Sequence, residues 1–165
     1  MQLIKDRSLM TQDSWSTISD DQLPTQLPRE DIIVSGAYWK AHHSVISQNA
    51  QRLGLALSGA DELDDYAADL DAFSLIALDF PVFRDGRAYS MARRLRAHHN
   101  YTGEIRATGN VLRDQMGYME RVGFNSFELG DDQNAQEALK SFKEISILYQ
   151  ASSDQTQPLY RHQTR

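Results

Sequence analysis

The chain has no cysteine among its 165 residues. That excludes disulfides, thiolate catalysis, cysteine-held iron–sulfur clusters and thiol redox relays built from this chain alone. Long apolar runs are also missing: nothing approaches the ~20 residues of a membrane helix. The first ten residues, MQLIKDRSLM, carry Lys5, Asp6 and Arg7 with no long apolar stretch behind them, so no signal peptide is read and a cytoplasmic protein is expected. Motifs for nucleotides and metals are scarce too. There is no GxGxxG, no GxxxxGK[ST], no HxxxH or HExxH, and the acidic run at 61–71 lacks EF-hand spacing. The pairs His42-His43 and His98-His99 put adjacent side chains about 100° apart on a helix, so neither pair chelates one metal. No cofactor and no metal are expected.

What is present is an ordinary globular composition, 41% hydrophobic and 24% charged, enough for one domain over residues 1–150. Residues 151–165, rich in Gln, Ser and Thr, read as a flexible tail. The net charge is −6, unevenly spread. From Arg84 to Arg113 there are seven arginines against Asp85 and Glu104, a local balance of +5. An acidic protein with one basic segment is a poor general binder of nucleic acid. The segment suits a small anion or an acidic patch on a partner, against the plainer alternative of a solvated helix face.

The stretch 75–115 organises the rest. Leu75-Ile76-Ala77-Leu78 is a short apolar run ended by Asp79, as for a strand buried on both faces. Asp85-Gly86 marks a turn. Ala88, Met91, Ala92 and Leu95 then recur at helical spacing, with arginines filling the other positions. Residues 104–108 read as a second strand, Gly109-Asn110 as a second turn, and Leu112, Gln115, Met116 and Met119 as the inner side of a second helix.

In chain order, residues 2–18 suggest a β-hairpin or two short extended pieces, with Asp13-Ser14 at the turn between them, and 19–31 a surface connection broken by Pro24 and Pro28. Residues 31–35 (DIIVS) are the first central strand, followed by a helix over about 37–53 that Gly54 stops. A short strand over 55–58 precedes an acidic helix capped by Asp61, with Leu63, Tyr66, Ala67 and Leu70 inward. Gly123 ends a helix, 126–129 form the last strand, and Asn134 or Asp132 caps a final helix through Phe142 and Ile145. Successive β-α units with right-handed crossovers predict an α/β, three-layer, doubly wound sheet, mostly parallel, of about five strands, with the N-terminal β-hairpin as an appendage. A complete β/α barrel typically needs about 250 residues and is disfavoured.

Both turns of the organising stretch follow the carboxyl end of a strand, where open α/β sheets take ligands. The candidate binding residues are therefore Asp79, Arg84, Asp85, Arg87, Arg94, Asn110, Arg113 and Asp114. Asp79 or Asp85 suits general acid–base work, and the arginines suit forked contact with an oxyanion such as sulfite, sulfate or phosphate. No catalytic residue is assigned.

Several segments carry a resemblance to a known family. They are Leu27-Pro28 with Ile32-Ile33-Val34, LIALDFPVFRDGRAYSMARRLR, GEIRATGNVLRDQ, VGFNSFEL and Tyr149-Gln150. Together they resemble the bacterial uncharacterised family named as oxidoreductases of sulfite reduction, encoded beside assimilatory sulfite (nitrite-like) reductase. The resemblance covers nearly the whole chain. It implies an accessory protein of sulfur assimilation, a non-catalytic partner of the reductase. The name oxidoreductase comes with the family's gene neighbourhood. One departure stands out: family members carry Asp after the second turn's glycine, whereas this chain has Asn110, whose amide cannot act as a general base. The alternatives are a small anion-binding enzyme or ligand-binding domain in the strand-end cleft, and a structural homo-oligomer formed through the hairpin or outer strand.

Overall fold

A computed structural model describes residues 2–82, 84–144, 150–153 and 161. The eight strands are β1 (Gln2–Lys5), β2 (Ser8–Met10), β3 (Trp15–Thr17), β4 (Asp31–Ser35), β5 (Arg52–Leu57), β6 (Phe73–Phe80), β7 (Glu104–Gly109) and β8 (Ser126–Leu129). They form one mixed sheet in the order β2-β1-β8-β7-β6-β5-β4-β3. From β3 to β8 all neighbours are parallel, while β1 runs antiparallel to both β8 and β2. The α-helices are α1 (Gly36–Asn49), α2 (Arg87–Ala97), α3 (Arg113–Val122) and α4 (Ala135–Ala138), and a 3-10 stretch (Leu63–Ala72) links β5 to β6.

The α/β class holds, but the expected five-stranded, doubly wound sheet does not. Doubly wound sheets reverse their strand order partway. Here β3 to β8 follow one another across the sheet without reversal, and crossovers of one hand then place every helix on the same face. Packing agrees. The large core joins Ile32, Val34, Leu55, Leu57, Ile76, Leu78, Ile105 and Phe127 to residues of all four helices. The opposite face holds a small cluster of strand residues alone: Ile33, Leu75 and Ala77, with Trp15 and Ala56 against them. There are two layers, not three.

The sheet must also curl. β2 and β3 are its opposite edges, yet only residues 11–14 join them. Seven strand spacings would separate the edges by ~34 Å in a flat sheet. Five Cα steps reach at most ~18 Å. The helix-free face is therefore concave, and residues 11–14 form a strap between its rims.

The N-terminal hairpin turns at Asp6-Arg7, with φ of 48° and 59°, and not at Asp13-Ser14. A two-residue loop with both φ positive matches the twist of the strands it joins. Trp15 accordingly lies on the far edge of the sheet and not in the hairpin. Arg7 at the hairpin tip makes a forked ion pair with Glu120 of α3, both contacts 2.8 Å.

Other boundaries moved for local reasons. The helix that was expected to reach Leu53 stops at Asn49, and Leu53-Gly54 belong to β5. Gly54 is there because a Cβ would stand 2.9 Å from Ile33 and 3.2 Å from the Trp15 ring. Asp61 caps no helix; its carboxylate accepts from the backbone N–H and hydroxyl of Ser58. Ala67 is exposed, while Leu63, Tyr66 and Leu70 are buried. Asn134 does cap α4, accepting from the N–H groups of Gln136 and Glu137. Ile145 and most of 151–165 lie outside the described residues. Residues 150–153 rest on the end of α3, where the Ser152 hydroxyl donates to Arg121 O and the Ser153 N–H to the same oxygen.

Candidate functional site

Strand alternation decides which side chains enter the concavity. On β7 these are Glu104, Arg106 and Thr108, and on β8 Ser126 and Glu128. On β6 they are Leu75, Ala77 and Asp79, and on β5 Arg52, Gly54 and Ala56. On β4 they are Asp31 and Ile33. Lateral register then sets them in rows: Ala56, Ala77, Arg106 and Ser126 align, and Asp79, Thr108 and Glu128 form the next row towards the carboxyl ends. A cavity of ≈340 Å³ opens there, lined by Asp13, Trp15, Thr17, Ile33, Ala56, Ala77, Arg106, Thr108 and Glu128.

Arg106 anchors this interior. It is 2% exposed and donates to Asp13 in the strap at 2.5 and 3.2 Å and to Glu104 at 3.0 Å. Glu104 also takes Lys5 Nζ at 2.6 Å. Burial alone would raise the Glu104 pKa, but Lys5 and Arg106 outweigh it and hold the group ionised below its ordinary value. At the far rim Asp31 accepts from Arg52 and from the Ser14 hydroxyl. The Arg52 guanidinium lies 5.0 Å over the Trp15 ring.

Asp79 and Glu128 behave differently. Desolvation raises both pKa values; the Asp85 charge adds to it at Asp79, while at Glu128 Arg106 opposes and Asp13 adds. No side chain among the described residues donates a hydrogen bond to either. Gly109 closes the row beside Asp79. Its φ is +80°, and a Cβ there would stand 2.5 Å from Asp79 Oδ1 and 2.6 Å from the Phe80 carbonyl.

The sequence-chosen residues divide into two groups. Asp79, Asp85, Arg87 and Asn110 gather at the carboxyl ends of β6 and β7. Asn110 N–H donates to Phe80 O at 2.7 Å. Asp85 is 12% exposed on its side chain and takes Arg87 Nε at 2.9 Å and Arg87 Nη2 at 2.5 Å. That guanidinium, with the Arg87 backbone N–H, holds the Asp85 pKa down to about 2. Arg84 is exposed in the same loop. Arg94 and Arg113 point elsewhere: Arg94 pairs with Asp64 at 2.5 Å, and Arg113 with Glu144 and the Glu137 carbonyl. Asp114 is exposed in the first turn of α3.

The basic segment is therefore not a basic surface. Arg96 turns inward to the carbonyls of Tyr101, Gly103 and Gly123, Arg106 is buried, and Arg87, Arg94 and Arg113 are matched by acids. Sequence reasoning missed Asp13, Arg106, Thr108 and Glu128. Their signal was available: EIRATG places polar residues at every second position of a strand, which a strand covered by helices on both faces does not tolerate. Among the described residues no group of three or more His, Asp or Glu is placed to hold a metal ion. No described helix is long and apolar enough to cross a membrane.

A curled α/β sheet with a polar strand-end mouth defines the class of protein. The chain belongs to the family of bacterial proteins of unknown function DUF934, whose pattern matches residues 54–160. No curated protein and no solved structure matches it.

Proposed function

We propose that the chain serves assimilatory sulfite reduction as an accessory protein that docks on the sulfite reductase. One observation carries this reading. The two segments richest in the resemblance, 75–96 and 103–115, each carry a strand-to-helix loop at one edge of the sheet, and the Asn110–Phe80 hydrogen bond ties the two loops. That edge offers exposed Val82 and Arg84, and on α3 Tyr118, whose ring stacks at 5.3 Å on Tyr89. An apolar and aromatic patch with an exposed cation suits a protein contact better than a wholly charged one. Co-purification with the neighbouring reductase, followed by turnover with and without this chain, tests it. A stable complex with altered turnover supports the reading. Absence of a complex at both low and moderate salt, with unchanged turnover, rejects it.

The cavity favours a second reading, a ligand-binding domain or small enzyme that uses the strand-end mouth. Its volume falls within the range of small-molecule sites. Asp79 and Glu128, held towards the protonated form on either side of Thr108, have the character of acid–base groups. Ligand-induced amide shifts at Ala77, Thr108 and Glu128 would support it, and a mouth silent to amine and oxyanion probes alike would reject it.

A further inference from the structure

The charges inside the concavity do not balance. Among the described side chains Asp13, Asp31, Asp79, Glu104 and Glu128 face it, against Lys5, Arg52 and Arg106; the N-terminal charge also acts on Glu128 but less than burial does. Every one of those cations is already committed: Arg52 to Asp31, Lys5 to Glu104, and Arg106 to Glu104 and Asp13. The two carboxylates left over among the described residues are Glu128, which lines the cavity, and Asp79, which pairs in register with the lining residue Thr108 and stands at the cavity's rim, outside its lining. Continuing the β7–β8 register by one residue puts Thr108 between them. With two strand spacings separating them, their Cα atoms lie ~10 Å apart. Glu128 also lines a second hollow of ≈240 Å³ with Gly109, Leu129, Gly130 and Asp131, so it stands where both open.

Unmatched, partly desolvated carboxylates call for positive charge. An oxyanion would meet both of them and find no uncommitted guanidinium inside among the described residues. A bare metal ion would find no cluster of three ligands among the described residues. An organic cation meets neither obstacle. Its ammonium or guanidinium can donate to Asp79, Glu128 and the Thr108 hydroxyl, while its carbon skeleton packs on Ala56, Ala77 and the Trp15 ring. Resting on the reading of the mouth as a ligand site, we infer that its ligand is a small organic amine or guanidine, bound through Asp79 and Glu128. At roughly 30 Å³ per water-sized group, the cavity takes on the order of ten non-hydrogen atoms.

The test titrates the isotope-labelled full chain, in about 0.15 M salt so that surface attraction is screened, with 1,4-diaminobutane, agmatine and, as oxyanion comparator, sulfite. Amide shifts locate binding and calorimetry measures it. Expected is saturable amine binding with shifts at Ala56, Ala77, Thr108 and Glu128, and no response to sulfite. Asp79→Asn and Glu128→Gln should each weaken it about tenfold, and Asp64→Asn, on the outer helix layer, should leave it unchanged. Sulfite binding in the mouth without amine binding would overturn the ligand class and keep the site. Silence to all three probes would overturn both. Amine binding that survives both mouth substitutions would be surface association and would also overturn the inference. The wild-type shift map needs no variant, so a variant that fails to fold does not blunt the test.

Discussion

Arg106, on a strand in the middle of the sheet, donates two hydrogen bonds to Asp13 in the strap, ninety-three positions earlier in the chain. This contact fixes the strap to the sheet it bridges. Removing Asp13 leaves a guanidinium that is 2% exposed with Glu104 as its one remaining carboxylate partner. Asp13→Ala should destabilise the fold by about 1–3 kcal/mol in denaturant unfolding. Arg106→Ala should cost more, because it strips both Asp13 and Glu104. A double-mutant cycle that shows no coupling between the two would mean that the strap is held by other contacts.

Gly109 allows no side chain. Gly109→Ala adds a Cβ within 2.6 Å of two oxygens in a backbone region that L residues avoid, so a loss of about 2 kcal/mol or more is expected. Gly86→Ala is the control: its Cβ would meet nothing nearer than 3.7 Å. Thermal unfolding of the two variants side by side distinguishes strain from a general cost of altering loops.

Asp85 should titrate at about 2 in a carboxyl NMR titration. The stability its lowered pKa contributes is present above the unfolded carboxylate pKa and is lost as pH falls from there through the folded value of about 2. Arg87→Gln should bring Asp85 back towards the ordinary range. Asp85→Asn should lower the Asp79 pKa, since the Asp85 charge is one of the causes that raise it. An Asp79 titration indifferent to Asp85 would refute that coupling.

Asp79 and Glu128 have the opposite linkage. A carboxyl whose folded pKa is raised binds its proton better in the native state. Its ionisation therefore costs stability as pH rises from the unfolded pKa through the folded one. Asp79→Asn and Glu128→Gln should stabilise the free protein near pH 7 by on the order of 1 kcal/mol or less, and make no difference below the ordinary carboxylate range. Unfolding curves at two pH values suffice. Destabilisation at pH 7 by both variants would show that the carboxylates are paired in solution.

How much of this was legible in the sequence depended on where the burial signal lay. The strand 31–35 and the helices after Asp85-Gly86 and Gly109-Asn110 follow directly from apolar spacing and turn residues, because each has one face in the large core. The layering did not follow, since strand order is a tertiary choice that local periodicity does not encode. Gly54 looked like a helix stop and proved to be a strand position crowded by Trp15. Asp6-Arg7 lacks the usual turn glycine or asparagine and so hid where the expected hairpin turns. Arg106 counted as one more arginine of a basic segment, although its spacing from Glu104 and Thr108 is that of a strand with a polar inner face. Asp79 was found because it ends a strand. Glu128 was missed because it also ends one, without a helix following closely to draw attention to it.

The pairing of β1 with β8 has a consequence for the order of events at the ribosome. Residues 2–5 emerge long before their neighbours in the sheet, residues 126–129. At roughly 5–20 residues per second, they wait on the order of ten seconds for that partner. The β4–β7 portion can assemble in the meantime, since each strand there pairs with the next. The nascent hairpin, with exposed Leu9 and Met10 on an edge strand, must stay out of other pairings until residues 126–129 have emerged. The pairing of β1 with β8 thus waits on the far end of the sheet, and the N-terminal edge of the concave face is completed only after β8 is available.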